Sequence, residues 1–198
     1  AQTGGVENHA RDILASAPAH GYEPVLVSLA DASVAPPFLE LGIEIHRLGD
    51  AMYGSFRSLA NIQNLARLLK SIDPDIVHLH GARPLFVGSL AARMAGIRAV
   101  VSTLHGSCKL MAYDKATSRI DPVLLAASKI VHTTGFALSK RVIVDADALL
   151  GEVREACRFL PVSYGRIRAK TVTIHPCVDF SKVGPGLDNA AMRQRLGI

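Results

Sequence analysis

GGVENHARDIL, residues 4–14, sets two glycines directly in front of an amphipathic helix whose apolar positions are Val6, Ala10, Ile13 and Leu14. Gly4 and Gly5 remove two β-carbons where the backbone is expected to turn. The helix behind them points unpaired N–H groups and the positive end of its dipole at whatever lies in front, and a diphosphate suits that position. In α/β folds such a turn follows a parallel strand, yet only Ala1, Gln2 and Thr3 precede it. The expectation is a sheet without its first strand, in which two neighbouring strands lose their backbone partner and stability suffers by roughly 1–3 kcal/mol per unpaired buried group.

Outward from this segment, strand patterns at residues 24–29, 43–48, 75–80, 98–104, 141–145 and 170–175 alternate with helical ones. The helices are read at about 57–72, from near Pro84 to Gly96, over 116–138 with Pro122 in a first turn, and over 148–159. DIVHLH, residues 75–80, has the nearly continuous apolar character of a buried parallel strand. This alternation predicts an α/β fold with a doubly wound, mainly parallel, Rossmann-like sheet over residues 1–180. SKVGPG from Ser181 and the short helical pattern after it then read, over 181–198, as a linker and the start of another domain.

At 198 residues and 49% hydrophobic, the chain can build one substantial core or one domain plus part of another. Its apolar runs are too short to span a bilayer. Three cysteines, Cys108, Cys157 and Cys177, match no zinc or redox spacing and read as small buried hydrophobes in a reducing compartment. The net charge of +5 favours anionic partners. Arg154, Arg158, Arg166, Arg168 and Lys170 read first as a solvated face and next as a dock for an anionic membrane surface or lipid phosphate; no nucleic-acid motif accompanies them.

In an open parallel sheet, ligands bind beyond the carboxyl ends of the strands. His80–Gly81, His105–Gly106, Asp145 and His175 all fall at predicted strand ends, on the edge that Gly4 and Gly5 would share. His46 and His132, inside elements, read as structural. No metal is expected, because His78 and His80 are read as alternating between the faces of their strand and no carboxylate or thiol cluster completes a site. GxSxG, GxGxxG and GxxxxGK[ST] are all missing.

These stretches together resemble the N-terminal, acceptor-binding domain of retaining GT-B glycosyltransferases of family 4. GGVENHARDIL followed by HGYEPVLVSL is similar to the family's opening glycine loop, helix and strand. DIVHLHG and VVSTLHG resemble its two strand-end histidine motifs, RVIVDADALLGEV a later strand and helix, VTIHPCVD its "IPNGVD" segment, and AMRQRLGI the phrase after that. Asp145 and Ala146 stand where the family typically has a serine, and His175 and Cys177 replace small or amide residues. The donor-binding second domain and its paired glutamates are not found in the sequence.

The resemblance implies transfer of a sugar, with retention, from a nucleotide-diphosphate sugar to a hydroxyl of a glycan or lipid-linked acceptor. It needs no metal or other cofactor, and it would occur in the cytoplasm or at the inner face of a membrane. By motif position, Gly4 and Gly5 would meet the donor diphosphate and His105 would be catalytic, contacting the transferred sugar. Asn8, His9 and His80, with Arg83 and Lys109 for an anionic group, would line the acceptor side. Strong donor binding needs the second domain, so little turnover is expected of this chain alone. A nucleotide-sugar epimerase of the same architecture and a non-catalytic α/β binding module are the alternatives.

Overall fold

The computed structural model describes residues 4–29, 36–48, 59–107, 113–114, 119–158, 164–177, 193–194 and 197. In chain order these form α1 (Gly5–Ser16), β1 (Val25–Ser28), α2 (Pro36–Leu39), β2 (Glu44–Arg47), α3 (Leu59–Ile72), β3 (Val77–His80), α4 (Ala82–Ala95) and β4 (Val100–Leu104). The two-residue strands β5 (Tyr113–Asp114) and β6 (Arg119–Ile120) come next. After them run α5 (Pro122–Leu138), β7 (Arg141–Val144), α6 (Leu149–Cys157), α7 (Tyr164–Arg168) and β8 (Thr171–Thr173).

Local chemistry accounts for several boundaries. Asp121 caps α5 by accepting the backbone N–H groups of Val123 and Leu124 at 2.7 and 3.0 Å, and Pro122 fills the first position, where no amide hydrogen is needed. The helix expected over 116–138 therefore begins later, and Arg119–Ile120 instead pair antiparallel with Tyr113–Asp114. Gly96 ends α4 in the left-handed conformation, φ 86°, donating to the carbonyls of Ala92 and Arg93. The short helices α2 and α7 carry too few turns to show a periodic pattern. Residues 178–192, which include the expected domain boundary, lie outside the described residues.

Strands β3, β4, β7 and β8 form one parallel sheet in the order β3-β4-β7-β8, while β1 and β2 form a separate parallel pair. Among the described residues no ladder joins the two sheets. What unites them is packing: Val27, Leu29 and Leu48 lie against the cluster of Leu65, Leu69, Leu79, Ala91, Ala92 and Val100. A second cluster holds Leu85, Leu104, Phe136, Val142, Val144, Val153 and Ile167, on the α5–α6 side of the sheet. Gly135 has its bare α-carbon against Leu85, which lets α4 and α5 approach closely.

The register fixes where polar groups collect. His80 pairs with Thr103, Leu104 with Val144, and Val144 with Thr173, so the residues that follow each strand emerge at one edge. His105, Asp145 and His175 are those residues. The parallel register thus gathers them without any help from sequence proximity.

Candidate active site

At this edge three side chains form a hydrogen-bonded chain. His105 Nδ1 lies 2.8 Å from Asp145 Oδ2, and His105 Nε2 lies 2.9 Å from His80 Nδ1. The His80 and His105 rings stack, with centroids 5.2 Å apart and planes 20° apart. His9, one turn into α1, turns its ring edgewise to both, at 5.9 Å from His80 and 5.2 Å from His105. The glycine-led helix therefore reaches the same site as the strand-end histidines. His175 Nδ1 donates to the Asp145 carbonyl at 3.0 Å, which ties the end of β8 to the end of β7.

His78 and His80 do not alternate. Their rings lie 4.1 Å apart, and they share a face because positions i and i+2 of a strand point the same way. His78 Nε2 is within 2.7 Å of Thr103 Oγ1 on the next strand. Burial strips water from both rings and the neighbouring imidazoles repel a proton, so His78 is lowered to about 4 and His80 to about 3. Both are neutral at physiological pH. Asp145, with its side chain 18% exposed, is the carboxylate in contact with this array, and its Oδ1 is buried without a hydrogen-bond partner among the described residues. Among the described residues no group of three or more His, Cys, Asp or Glu side chains has the placement to hold a metal ion.

Gly4 and Gly5 keep the place expected of them but not the reason. Gly4, the residue before α1, has ordinary extended dihedrals of −79° and 176°, and Gly5 is helical. No turn demands glycine here. A β-carbon on Gly5 would meet nothing within 4 Å, and one on Gly4 would meet only the flexible end of Glu7, at 2.6 Å from Oε2. Among the described residues, both glycines are exposed. Asn8 is half-buried in the same first turns.

Arg83 contributes its backbone to the first turn of α4 after Gly81, φ 88°, but its side chain lies outside the described residues, as does all of Lys109. Gly81 supplies the sharp turn expected after His80, since φ there is one that side-chain-bearing residues rarely adopt. His132 is buried in α5 with Nδ1 donating to the Ser128 carbonyl at 2.7 Å, a structural part, while His46 Nε2 lies 2.7 Å from Glu44 Oε1 without forming a hydrogen bond among the described residues. Cys157 is buried, Cys177 is exposed rather than the small core residue anticipated, and Cys108 lies outside the described residues. No described helix is long and apolar enough to cross a membrane.

Sequence reading placed Asp145 at the strand-end edge but missed its contact with His105. That contact follows from the β4–β7 register, which pairs Leu104 with Val144 and so sets the next residues, His105 and Asp145, side by side. Thr103 and His78 were missed because their contact is made across strands 25 residues apart.

The whole arrangement is a Rossmann-like α/β fold that matches one half of a GT-B glycosyltransferase. HepE of Anabaena, whose crystal structure is in complex with UDP and glucose, superimposes with a TM-score of 0.67 over 99% of this chain and 47% of its own, at 17% sequence identity. An Escherichia coli UDP-Gal:alpha-D-GlcNAc-diphosphoundecaprenol alpha-1,3-galactosyltransferase is 40% identical over 50 residues, which are 25% of this chain and 13% of that protein. The chain thus spans less than half the length of either relative. The sequence matches Glycosyltransferase Family 4 over residues 3–182, and the chain belongs to that family.

Proposed function

We propose that the intact protein transfers a sugar, with retention, from a nucleotide-diphosphate sugar to an acceptor hydroxyl, and that this chain supplies the acceptor-side wall of the site. The carrying observation is the convergence of α1 with the His80–His105–Asp145 chain, made through His9. The exposed Gly5 backbone at the N-terminus of α1 suits a diphosphate, whose growing charge as it leaves is met by fixed backbone dipoles rather than by cations. The neutral histidines add no charge that would hold a diphosphate too tightly.

His105 is the residue to which we assign the central catalytic role, since it touches His9, His80 and Asp145 at once. Asn8, His9 and His80 line the acceptor side in this reading, with Arg83 and Lys109 as candidates for an anionic acceptor group. The UDP bound by HepE and the UDP-Gal in the name of the E. coli enzyme support a uridine donor. The diphosphoundecaprenol in that second name supports a lipid-linked acceptor. Neither a metal nor another cofactor enters the proposed reaction.

The test is His105→Ala in the full-length protein, with nucleotide sugar and acceptor supplied. Transfer is expected to fall by roughly 100-fold or more while the fold is retained. Unchanged transfer would overturn the role of His105, and release of free sugar instead of glycosylated acceptor would favour an epimerase.

A further inference from the structure

Asp145 brings a carboxylate against the group formed by His9, His80 and His105. The two oxygens of a carboxylate offer about four acceptor positions between them. Among the described residues one is filled: Oδ2 meets His105 Nδ1 at 2.8 Å, while Oδ1 is buried without a hydrogen-bond partner. The neighbours compensate little. Burial and mutual repulsion keep His78 and His80 neutral near pH 7, and His175 Nδ1 is spent on the main-chain carbonyl of Asp145 at 3.0 Å. The side chain still keeps 18% of its surface exposed, at the strand-end edge where ligands of open parallel sheets come.

An acceptor-only group whose charge is so poorly compensated makes two demands on whatever lies beside it. A hydroxyl hydrogen is attracted, because a hydrogen bond to an ionised acceptor is about twice as strong as a neutral one. A phosphate or carboxylate is repelled, because like charges at close range in a partly buried site are screened little.

We propose that Asp145 is a specificity-determining residue whose carboxylate accepts a hydroxyl hydrogen of an uncharged sugar ring and excludes an anionic group from that position. The sugar in this assignment rests on the sugar-transfer reading; the exclusion of anions does not. Transferred sugar and acceptor sugar both carry such hydroxyls. The anionic parts of both substrates then lie away from the end of β7. Serine, typical of the family near this place, could donate to a phosphate as well as accept from a hydroxyl, so the aspartate narrows what the position can hold.

Transfer by the full-length protein, measured as kcat/KM with a panel of UDP-sugars and a GlcNAc-diphospho lipid, tests this. Monodeoxy forms of the donor sugar make one arm and monodeoxy forms of the acceptor sugar the other. One deoxy form, in one arm, is expected to fall roughly 10- to 100-fold below its parent in the wild type, the loss of a hydrogen bond to a charged acceptor. In Asp145→Ala the same two compounds should differ by less than about 3-fold, since the partner is gone. The arm that responds identifies the sugar. A phosphate placed on the hydroxyl so identified should be rejected by the wild type roughly 100-fold, and Asp145→Asn, of equal size without the charge, should narrow that gap by about 10-fold or more.

A wild type that treats every deoxy form like its parent overturns the assignment, as does a deoxy penalty undiminished in Asp145→Ala. Should the alanine variant not fold, the wild-type panel and the Asp145→Asn gap decide. Equal rejection of the phosphate by wild type and Asp145→Asn overturns the exclusion of anions. A wild type that transfers no sugar at all overturns the sugar-transfer reading and the assignment with it.

Discussion

The imidazole rings of His78 and His80 lie 4.1 Å apart on one face of β3, which makes this strand end a place where protonation and folding compete. Both side chains have folded values far below 6.5, at about 4 and about 3, so the unfolded chain binds protons that the folded one refuses. Their contribution to stability is fully present above about pH 6.5 and is lost as pH falls toward 4 and then 3. At pH 5 the loss is up to about 2 kcal/mol for each group, reduced by whatever coupling they share. Urea unfolding of the wild type and of a His78→Gln, His80→Gln double variant at neutral pH and at pH 5 checks this. An equal acid loss in both proteins would rule it out.

Gly135 and Gly88 separate two kinds of tight contact. A β-carbon on Gly135 would stand 2.3 Å from Leu85 Cγ and 2.9 Å from the Leu85 carbonyl oxygen, part of which is backbone and cannot move aside. One on Gly88 would meet the tip of Leu79, at 2.5 Å from Cδ2, which can rotate. Gly135→Ala is expected to cost about 1–3 kcal/mol through overpacking of α4 against α5. Gly88→Ala should be near neutral, because the gain in helix propensity of about 1 kcal/mol offsets the side-chain shift. Denaturation midpoints of the two variants decide, and equal losses would contradict the distinction.

Asp121 caps the longest helix with a single carboxylate oxygen shared by two backbone N–H groups. Asp121→Ala should lower stability by about 1 kcal/mol, while Asp121→Ser should recover most of that loss. Thermal unfolding of the three proteins measures it. A serine variant as weak as the alanine one would show that the cap contributes little.

Gly5 tests the diphosphate proposal without disturbing the fold. A β-carbon there meets nothing within 4 Å, so Gly5→Ala should leave the melting temperature unchanged or slightly higher. If the diphosphate comes against that bare backbone, the same change weakens UDP binding to the full-length protein by roughly 10-fold, measured by calorimetry. Undiminished UDP affinity would move the diphosphate away from α1.

The α/β class, the order of the main strands and helices, and the identity of the strand-end residues were all legible in the amino-acid pattern. Strand and helix periods differ enough to be read over DIVHLH and over Leu59–Ile72, and Gly96 marks a helix end by a rule that needs no tertiary context. His80, His105 and Asp145 could be placed at one edge because parallel strands all finish on the same side. The tertiary structure alone decided what these residues do to one another. The β3-β4-β7 register brings side chains 25 and 40 residues apart within hydrogen-bond distance, and only distance reveals which nitrogen of His105 meets a carboxylate. It also showed that Gly4 is extended and Gly5 helical rather than part of a turn, and that Asp145 Oδ2 lies 2.8 Å from His105 Nδ1. Pattern encodes which face and which end a residue occupies; the pairing of donors and acceptors across strands is set by packing, which no local sequence contains.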